Sequence, residues 1–280
     1  MRSSLDFLRT LTKKNPLFAF FSLTYLFASV DLLFQGLHNF GQLRMNAFSW
    51  YTAEALLSPA AAALIVQWLT EHNLKVCRIH NSWKSFGLAF ILGPGLVLLS
   101  VVIIPAVLAS KEPLQSLNWK VFLSAASYHC QYSGGFIGLL FSPIVEEPGW
   151  RGYALPRLQS LMSPGWASIL LGLLWAGWHF PSFLIQGSAS GAILRYMVVV
   201  IALSVLIGFG FNLSRFSILV AVAMHAFCNM RGCLLQGLAS DTQDRAHSSV
   251  IWTCSMFLVP AALLLVTRGR LGIPREDVCA

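Results

Sequence analysis

The stretch VEEPGWRG, residues 145–152, places two adjacent glutamates and an arginine inside a sequence that otherwise avoids charge. Of the 280 residues, 56% are hydrophobic and 11% are charged, whereas a soluble domain carries roughly 25% charged residues. Charged groups within apolar membrane segments are costly and usually functional. We therefore interpret this stretch as the centre of a site, and the remaining chain as the bundle that holds it.

The hydropathy pattern outside this stretch predicts the fold class. A helix needs roughly 20 apolar residues to cross a bilayer, and runs of about that length are separated by polar or Gly- and Pro-containing breaks. The pattern predicts an all-α, polytopic membrane bundle of about eight transmembrane helices. The runs are Pro16–Gln35, Phe48–Leu69, Phe86–Leu108, Val121–Val145, Pro164–Leu184, Ile193–Phe211, Phe216–Leu235 and Val250–Val266.

The basic residues predict the orientation. The net charge is +8, but lysines and arginines lie between the apolar runs and not along one polar face, which indicates topology signals and no nucleic-acid partner. Most of them fall on the side of the N-terminus. We expect a cytosolic segment over residues 1–15, a transmembrane domain over 16–266 and a cytosolic tail over 267–280, with both termini in the cytosol. Asp31 and Glu54 are explained by snorkelling to the interface.

Three polar groups in the apolar runs are not explained by interfacial positions, and their spacing suggests that they meet. They are Glu146 with its neighbours, His179, and the pair of His225 and Asn229. Glu146 precedes the turn at Leu158–Pro164 by about as many residues as His179 follows it. In an antiparallel helical hairpin the two side chains would reach a similar depth. His225 and Asn229 are four residues apart, so they share one face of their helix. A carboxylate, two imidazoles and an amide could therefore share one intramembrane pocket.

The residues directly after Glu146 have a supporting role in this prediction. Glu147 and Arg151 are one helical turn apart, so the guanidinium could hold that carboxylate ionised. Pro148 and Gly149 predict a kink or a new start of the helix. Taken alone, each polar group also has a structural explanation, as a salt-bridged helix end, an interfacial histidine or a polar contact between membrane helices.

A carboxylate beside an imidazole can activate water as a general base. Donors on a facing helix can stabilise the oxyanion of a tetrahedral intermediate. Neither HExxH nor GxSxG occurs in the chain, so the residues favour a water-dependent hydrolase of amide bonds that needs no cofactor. Three alternatives stay open: a zinc centre at Glu146, His179 and His225, a non-catalytic membrane protein that binds or confers immunity to a peptide, and a transporter.

The same residues resemble the motifs of a known family. EEPGWRG at 146–152, LWAGWHFP at 174–181 and HAFCN at 225–229 are similar to the EExxxR, FxxxH and HxxxN motifs, in that order, of the CAAX protease and bacteriocin-processing family of intramembrane glutamate proteases. The first and third match in full. In the second, Trp175 stands where phenylalanine is usual. The resemblance runs from about Phe141 to Asn229, within an expected core at about 121–237.

This resemblance implies roles for the individual residues. Glu146 and His179 would activate water, His225 and Asn229 would form the oxyanion site, and Glu147 would support them together with Arg151. The implied activity is removal of the last three residues from prenylated CAAX proteins. Other members process peptides or confer bacteriocin immunity. The expected location is a plasma membrane in a bacterium or the endoplasmic reticulum in a eukaryote, with a membrane-anchored substrate and an oligomeric state that the sequence leaves open.

Overall fold

The computed structural model describes residues 2–44, 47–73, 83–99, 135–185, 188–229 and 242–273, and the regular structure within these ranges is entirely helical. The α-helices are α1 (Arg2–Lys14), α2 (Pro16–Asn39), α3 (Ala47–Leu56), α4 (Pro59–Glu71), α5 (Trp83–Leu98), α6 (Gly135–Glu147), α7 (Leu155–Gln159), α8 (Pro164–Ile185), α9 (Ser190–Leu213), α10 (Ile218–Asn229) and α11 (Thr242–Val266). A π-helix, Pro148–Ala154, joins α6 to α7.

The predicted all-α membrane bundle is confirmed. Three helical stretches within the described ranges are long and apolar enough to cross a membrane: Pro16–Asn39, Thr52–Glu71 and Ser190–Leu213. Helices α2, α8 and α9 coincide closely with the predicted first, fifth and sixth spans. The predicted third, fourth and seventh spans extend beyond the described residues, so the total of eight spans stays a prediction.

The predicted second span is interrupted near its centre. Helix α3 ends at Leu56 and α4 begins at Pro59, because proline has no N–H with which to continue the ladder. The Ser58 side chain forms a hydrogen bond with a backbone group on each side of the break. Its hydroxyl donates to the carbonyl of Ala55 at 2.8 Å and accepts from the N–H of Ala61 at 3.1 Å. A break at membrane depth needs such partners for its freed backbone groups.

The predicted kink after the glutamates takes the form of the π-helix. Pro148 cannot donate to the carbonyl four residues earlier, so the chain changes from α to π geometry without ending the helix. This segment packs directly on the start of α4. A Cβ at Gly149 would overlap the backbone carbonyl of Pro59, so only glycine permits this approach. The residues that follow Glu147 are thereby held against α4.

Close packing of α8 on α9 completes the scaffold around the site. Gly172 on α8 faces the backbone of Ile201, and Gly208 on α9 faces the side chain of Ser168. The hydroxyl of Ser204 donates to the Ser168 carbonyl at 2.8 Å. Small residues and hydroxyl groups of this kind let membrane helices approach closely.

Both predicted cytosolic segments contain ordered structure. Residues 2–14 form α1, whose Arg9 guanidinium lies 5.3 Å from the ring centroid of Trp68. In the predicted tail, Leu271 is fully buried and its carbonyl accepts from the Asn212 side chain at 3.1 Å. The N–H of Gly165 donates to the carbonyl of Gly269 at 2.7 Å. The segment after α11 thus folds back onto the bundle as far as residue 273.

We expect Ser58→Ala to destabilise the protein by about 1 kcal/mol, because it removes the hydroxyl that caps α4. The measurement is the free energy of unfolding in mixed detergent micelles. Ser29→Ala is the matched control, since the one hydrogen bond described for the exposed Ser29 hydroxyl is to the carbonyl one turn earlier, at Tyr25. Equal stability of the two variants would contradict the capping role of Ser58.

Candidate active site

Glu146 lies at the end of α6, and its carboxylate accepts three hydrogen bonds. The Trp175 indole N–H donates to Oε2 at 2.8 Å and the Trp150 indole N–H donates to the same oxygen at 3.3 Å. The Ser142 hydroxyl donates to Oε1 at 2.5 Å. Glu146 is only 3% exposed. Buried charge is tolerated where donors of this kind replace water, so the carboxylate is held in one orientation.

Glu147 belongs to a second polar group deeper in the bundle. Its Oε1 atom accepts from the Arg151 guanidinium at 2.9 Å and from Nδ1 of His225 at 2.8 Å. Glu147 and Arg151 are both 0% exposed, and the guanidinium lies 4.6 Å from the ring centroid of Trp175. The predicted contact of Glu147 with Arg151 is confirmed. Its partnership with His225 was not predicted, because the two residues lie 78 positions apart.

His179 lies on α8, one helical turn after Trp175. Its ring makes a perpendicular contact with Trp178 at a centroid distance of 4.7 Å and with Tyr196 at 5.4 Å. Among the described hydrogen bonds none joins His179 directly to Glu146, but both residues line one cavity. His179 also interacts electrostatically with the Glu146 carboxylate. The carboxylate and the imidazole that the sequence predicts to meet therefore line one shared cavity.

His225 and Asn229 lie on α10, where Asn229 is the last residue of the helix. The His225 ring packs perpendicular to Trp175 at 4.9 Å, and His225 interacts electrostatically with both Glu146 and His179. Neither His225 nor Asn229 is among the described residues that line the cavity. Contacts with Glu147 and Trp175 thus hold His225 beside the cavity. Asn229 lies one helical turn after His225.

The cavity has a volume of about 330 Å³ and lies between α2, the break from α3 to α4, α6 and α8. Its polar lining includes two carboxylates that sequence analysis assigned to the interface, Asp31 and Glu54. Gln35 donates to Asp31 at 2.6 Å. Only the packing of α2, α3 and α6 around one cavity shows that Asp31 and Glu54 face Glu146. Each is an acid in an apolar run, which is the one signal that could have identified them.

The side chains named in the zinc alternative have protein partners in the structure. Within the part of the chain that the structure describes, no group of three His, Cys, Asp or Glu side chains is positioned to hold a metal ion. Glu146 is instead engaged by two indoles and a hydroxyl, and His225 by Glu147.

A polar cavity within an all-α membrane bundle, lined by carboxylates and an imidazole, is compatible with an intramembrane hydrolase. Comparison with known proteins identifies its family. Residues 131–231 match the model described as type II CAAX prenyl endopeptidase Rce1-like. The CAAX prenyl protease 2 of Methanococcus maripaludis is 30% identical over 201 residues, which cover 69% of this chain and 68% of that protein.

The chain belongs to the Rce1-like family of type II CAAX prenyl endopeptidases. It is an integral membrane enzyme of the CAAX protease class, which agrees with the resemblance seen in its three motifs. The matched residues 131–231 contain all six of the predicted site residues. This assignment favours a protease over the non-catalytic and transporter alternatives.

We expect Glu147→Ala to cost about 3–5 kcal/mol of stability, because it leaves the Arg151 charge buried without its partner. The control is Glu71→Ala, which removes the partner of the half-buried Arg157 at 2.9 Å and should cost at most about 1 kcal/mol. Both are measured as free energies of unfolding in detergent. A loss for Glu147→Ala no larger than that for the control would show that the buried pair is not structurally important.

Proposed function

We propose that this protein cleaves a peptide bond near the C-terminus of a membrane-anchored, prenylated CAAX substrate, with Glu146 and His179 activating water. The observation that carries this proposal is the cavity of about 330 Å³ that both side chains line. Since the described hydrogen bonds do not join them directly, a water molecule can lie between the carboxylate and the imidazole.

In the first step, Glu146 would accept a proton from water as the oxygen attacks the scissile carbonyl. Hydrogen bonds from Trp175 and Ser142 hold the carboxylate while its charge changes. His179 would orient the same water molecule. Glu146 would then return the proton to the leaving amine, so that the C–N bond breaks and the carboxylate is regenerated.

The oxyanion formed in that step would be stabilised by His225 and Asn229. Nδ1 of His225 donates to Glu147, so Nε2 is the ring nitrogen left for the substrate. It can donate once the ring carries a proton on both nitrogens. Glu147 and Arg151 would act by holding that ring in place. In known enzymes, loss of one oxyanion donor slows catalysis by about 10²–10³.

The substrate class follows from the family. Type II CAAX prenyl endopeptidases are named for prenylated CAAX proteins, and the relative from M. maripaludis carries the name CAAX prenyl protease 2. A substrate anchored by a lipid chain reaches an intramembrane site by diffusing within the bilayer. We further propose that both termini are cytosolic, since Lys13 and Lys14 directly precede the first predicted span and Arg268 follows the last one.

Glu146→Gln should lower kcat by at least 10²-fold for a farnesylated CAAX peptide in liposomes, because the amide cannot accept a proton from water. Glu71→Gln serves as the matched control, since Glu71 lies at the far end of α4 and is not among the residues that line the cavity. Undiminished cleavage by Glu146→Gln would remove this residue from the mechanism. Cleavage by neither the wild type nor the control would contradict the proposed activity.

Incubation with a strong chelator should leave the rate of cleavage unchanged, because the proposed mechanism uses protein side chains alone. The rate is measured before and after exhaustive dialysis against the chelator, with elemental analysis of the same sample. Loss of activity that is restored by zinc would favour a metal centre at Glu146, His179 and His225 instead.

A further inference from the structure

The cavity wall opposite His179 carries two further carboxylates, Asp31 on α2 and Glu54 on α3. Glu54 interacts electrostatically with the carboxylates of both Glu146 and Asp31. Three acids thus share one cavity with a single imidazole. Like charges at such short range repel one another, and the repulsion is larger where little water separates them.

Arg151, His179 and His225 interact electrostatically with Glu146, whereas Asp31 and Glu54 form no ion pair with a described residue. No lysine or arginine is among the residues that line the cavity. Asp31 receives a neutral donor, the Gln35 amide, at 2.6 Å. Glu54 is exposed toward the cavity, and no ion pair joins it to another described residue. In contrast, Glu147 is matched by Arg151, and Glu71 by Arg157.

A broken helix brings Glu54 to this position. The break at Leu57–Ser58 places Glu54, one turn before it, on the same wall as Pro59. Non-helical backbone at membrane depth occurs where it lines a polar cavity. The break thus forms part of the cavity wall that carries Glu54.

We propose that Glu54 is a specificity-determining residue that selects substrates with a basic side chain shortly before the prenylated cysteine. This inference rests on the proposed function and names the preference of that same site. A lysine or arginine of the substrate would supply a positive charge beside Asp31 and Glu54, where no described residue supplies one. An acidic side chain at the same place would be repelled by these acids and bind poorly.

The chemistry of the substrate decides which part of it faces Glu54. The three residues that are released end in a free carboxylate, which the acids of this wall would repel. The segment before the cleaved bond carries no terminal charge. An extended chain advances about 3.5 Å per residue. Because Glu54 is close enough to Glu146 to interact with it electrostatically, a basic residue within four positions of the cysteine can reach Glu54.

The test uses the full chain in liposomes and farnesylated peptides that share one CAAX sequence. One set carries a single lysine at each of the four preceding positions in turn, a second carries glutamate there, and a third carries serine. For the wild type, we expect kcat/KM to favour lysine over glutamate by about tenfold at the best position. The ratio should fall as the salt concentration rises.

Glu54→Gln should bring the lysine-to-glutamate ratio close to one, because the neutral amide neither attracts lysine nor repels glutamate. Glu54→Lys should reverse the preference. Glu71→Gln, which removes an acid outside the cavity, should keep the wild-type ratio. Because each ratio is taken within one variant, partial loss of folded protein does not affect it.

A wild-type ratio near one, or a ratio that Glu54→Gln does not change, would overturn the inference while the proposed function stands. Failure of the wild type to cleave any of the peptides would contradict the proposed function itself. A preference that is insensitive to Glu54 but abolished by Asp31→Asn would also overturn the role of Glu54 and assign the selection to α2.

Discussion

A fully buried ion pair, Glu147 with Arg151, is the constraint on which the site depends. Its two members lie one turn apart and 2.9 Å from each other, yet burying both charges is costly unless their remaining hydrogen-bonding groups are used. The His225 ring adds a second donor to the oxygen that Arg151 contacts, whereas Oε2 of Glu147 and two nitrogens of Arg151 have no partner among the described residues. The ion pair thereby attaches α10 to the end of α6. Together with the packing of α10 on α5, α6 and α9, the ion pair positions the oxyanion side of the proposed site relative to Glu146.

The adjacent acids are separated in function by helical geometry. Successive residues of a helix project about 100° apart, so one carboxylate can face the cavity while the next faces the interior. Glu146 receives indole and hydroxyl donors and borders open space. Glu147 receives a guanidinium and an imidazole and borders protein. Two residues of one type thus have different surroundings: Glu146 borders the cavity, and Glu147 is fixed among charged and polar side chains.

Irregular backbone occurs in the described structure where the cavity is built. Helix α4 begins after a break that Ser58 caps, and the chain after Glu147 takes π geometry. These two irregular segments pack on each other through Pro59 and Gly149. A membrane interior offers no water to unpaired backbone groups, so each irregularity needs protein partners. Their mutual packing shapes the wall that carries Glu54.

The sequence by itself determined the membrane class and most of the described helix positions, and it predicted six candidate site residues, because apolar length and motif spacing are local properties of the chain. Tertiary structure alone decided the partners. Trp175 donates to Glu146 across 29 positions and Glu147 binds His225 across 78. Asp31 and Glu54 face Glu146 only because three helices pack together. Such contacts depend on which helices are neighbours and how each is rotated about its axis, and hydropathy does not encode either.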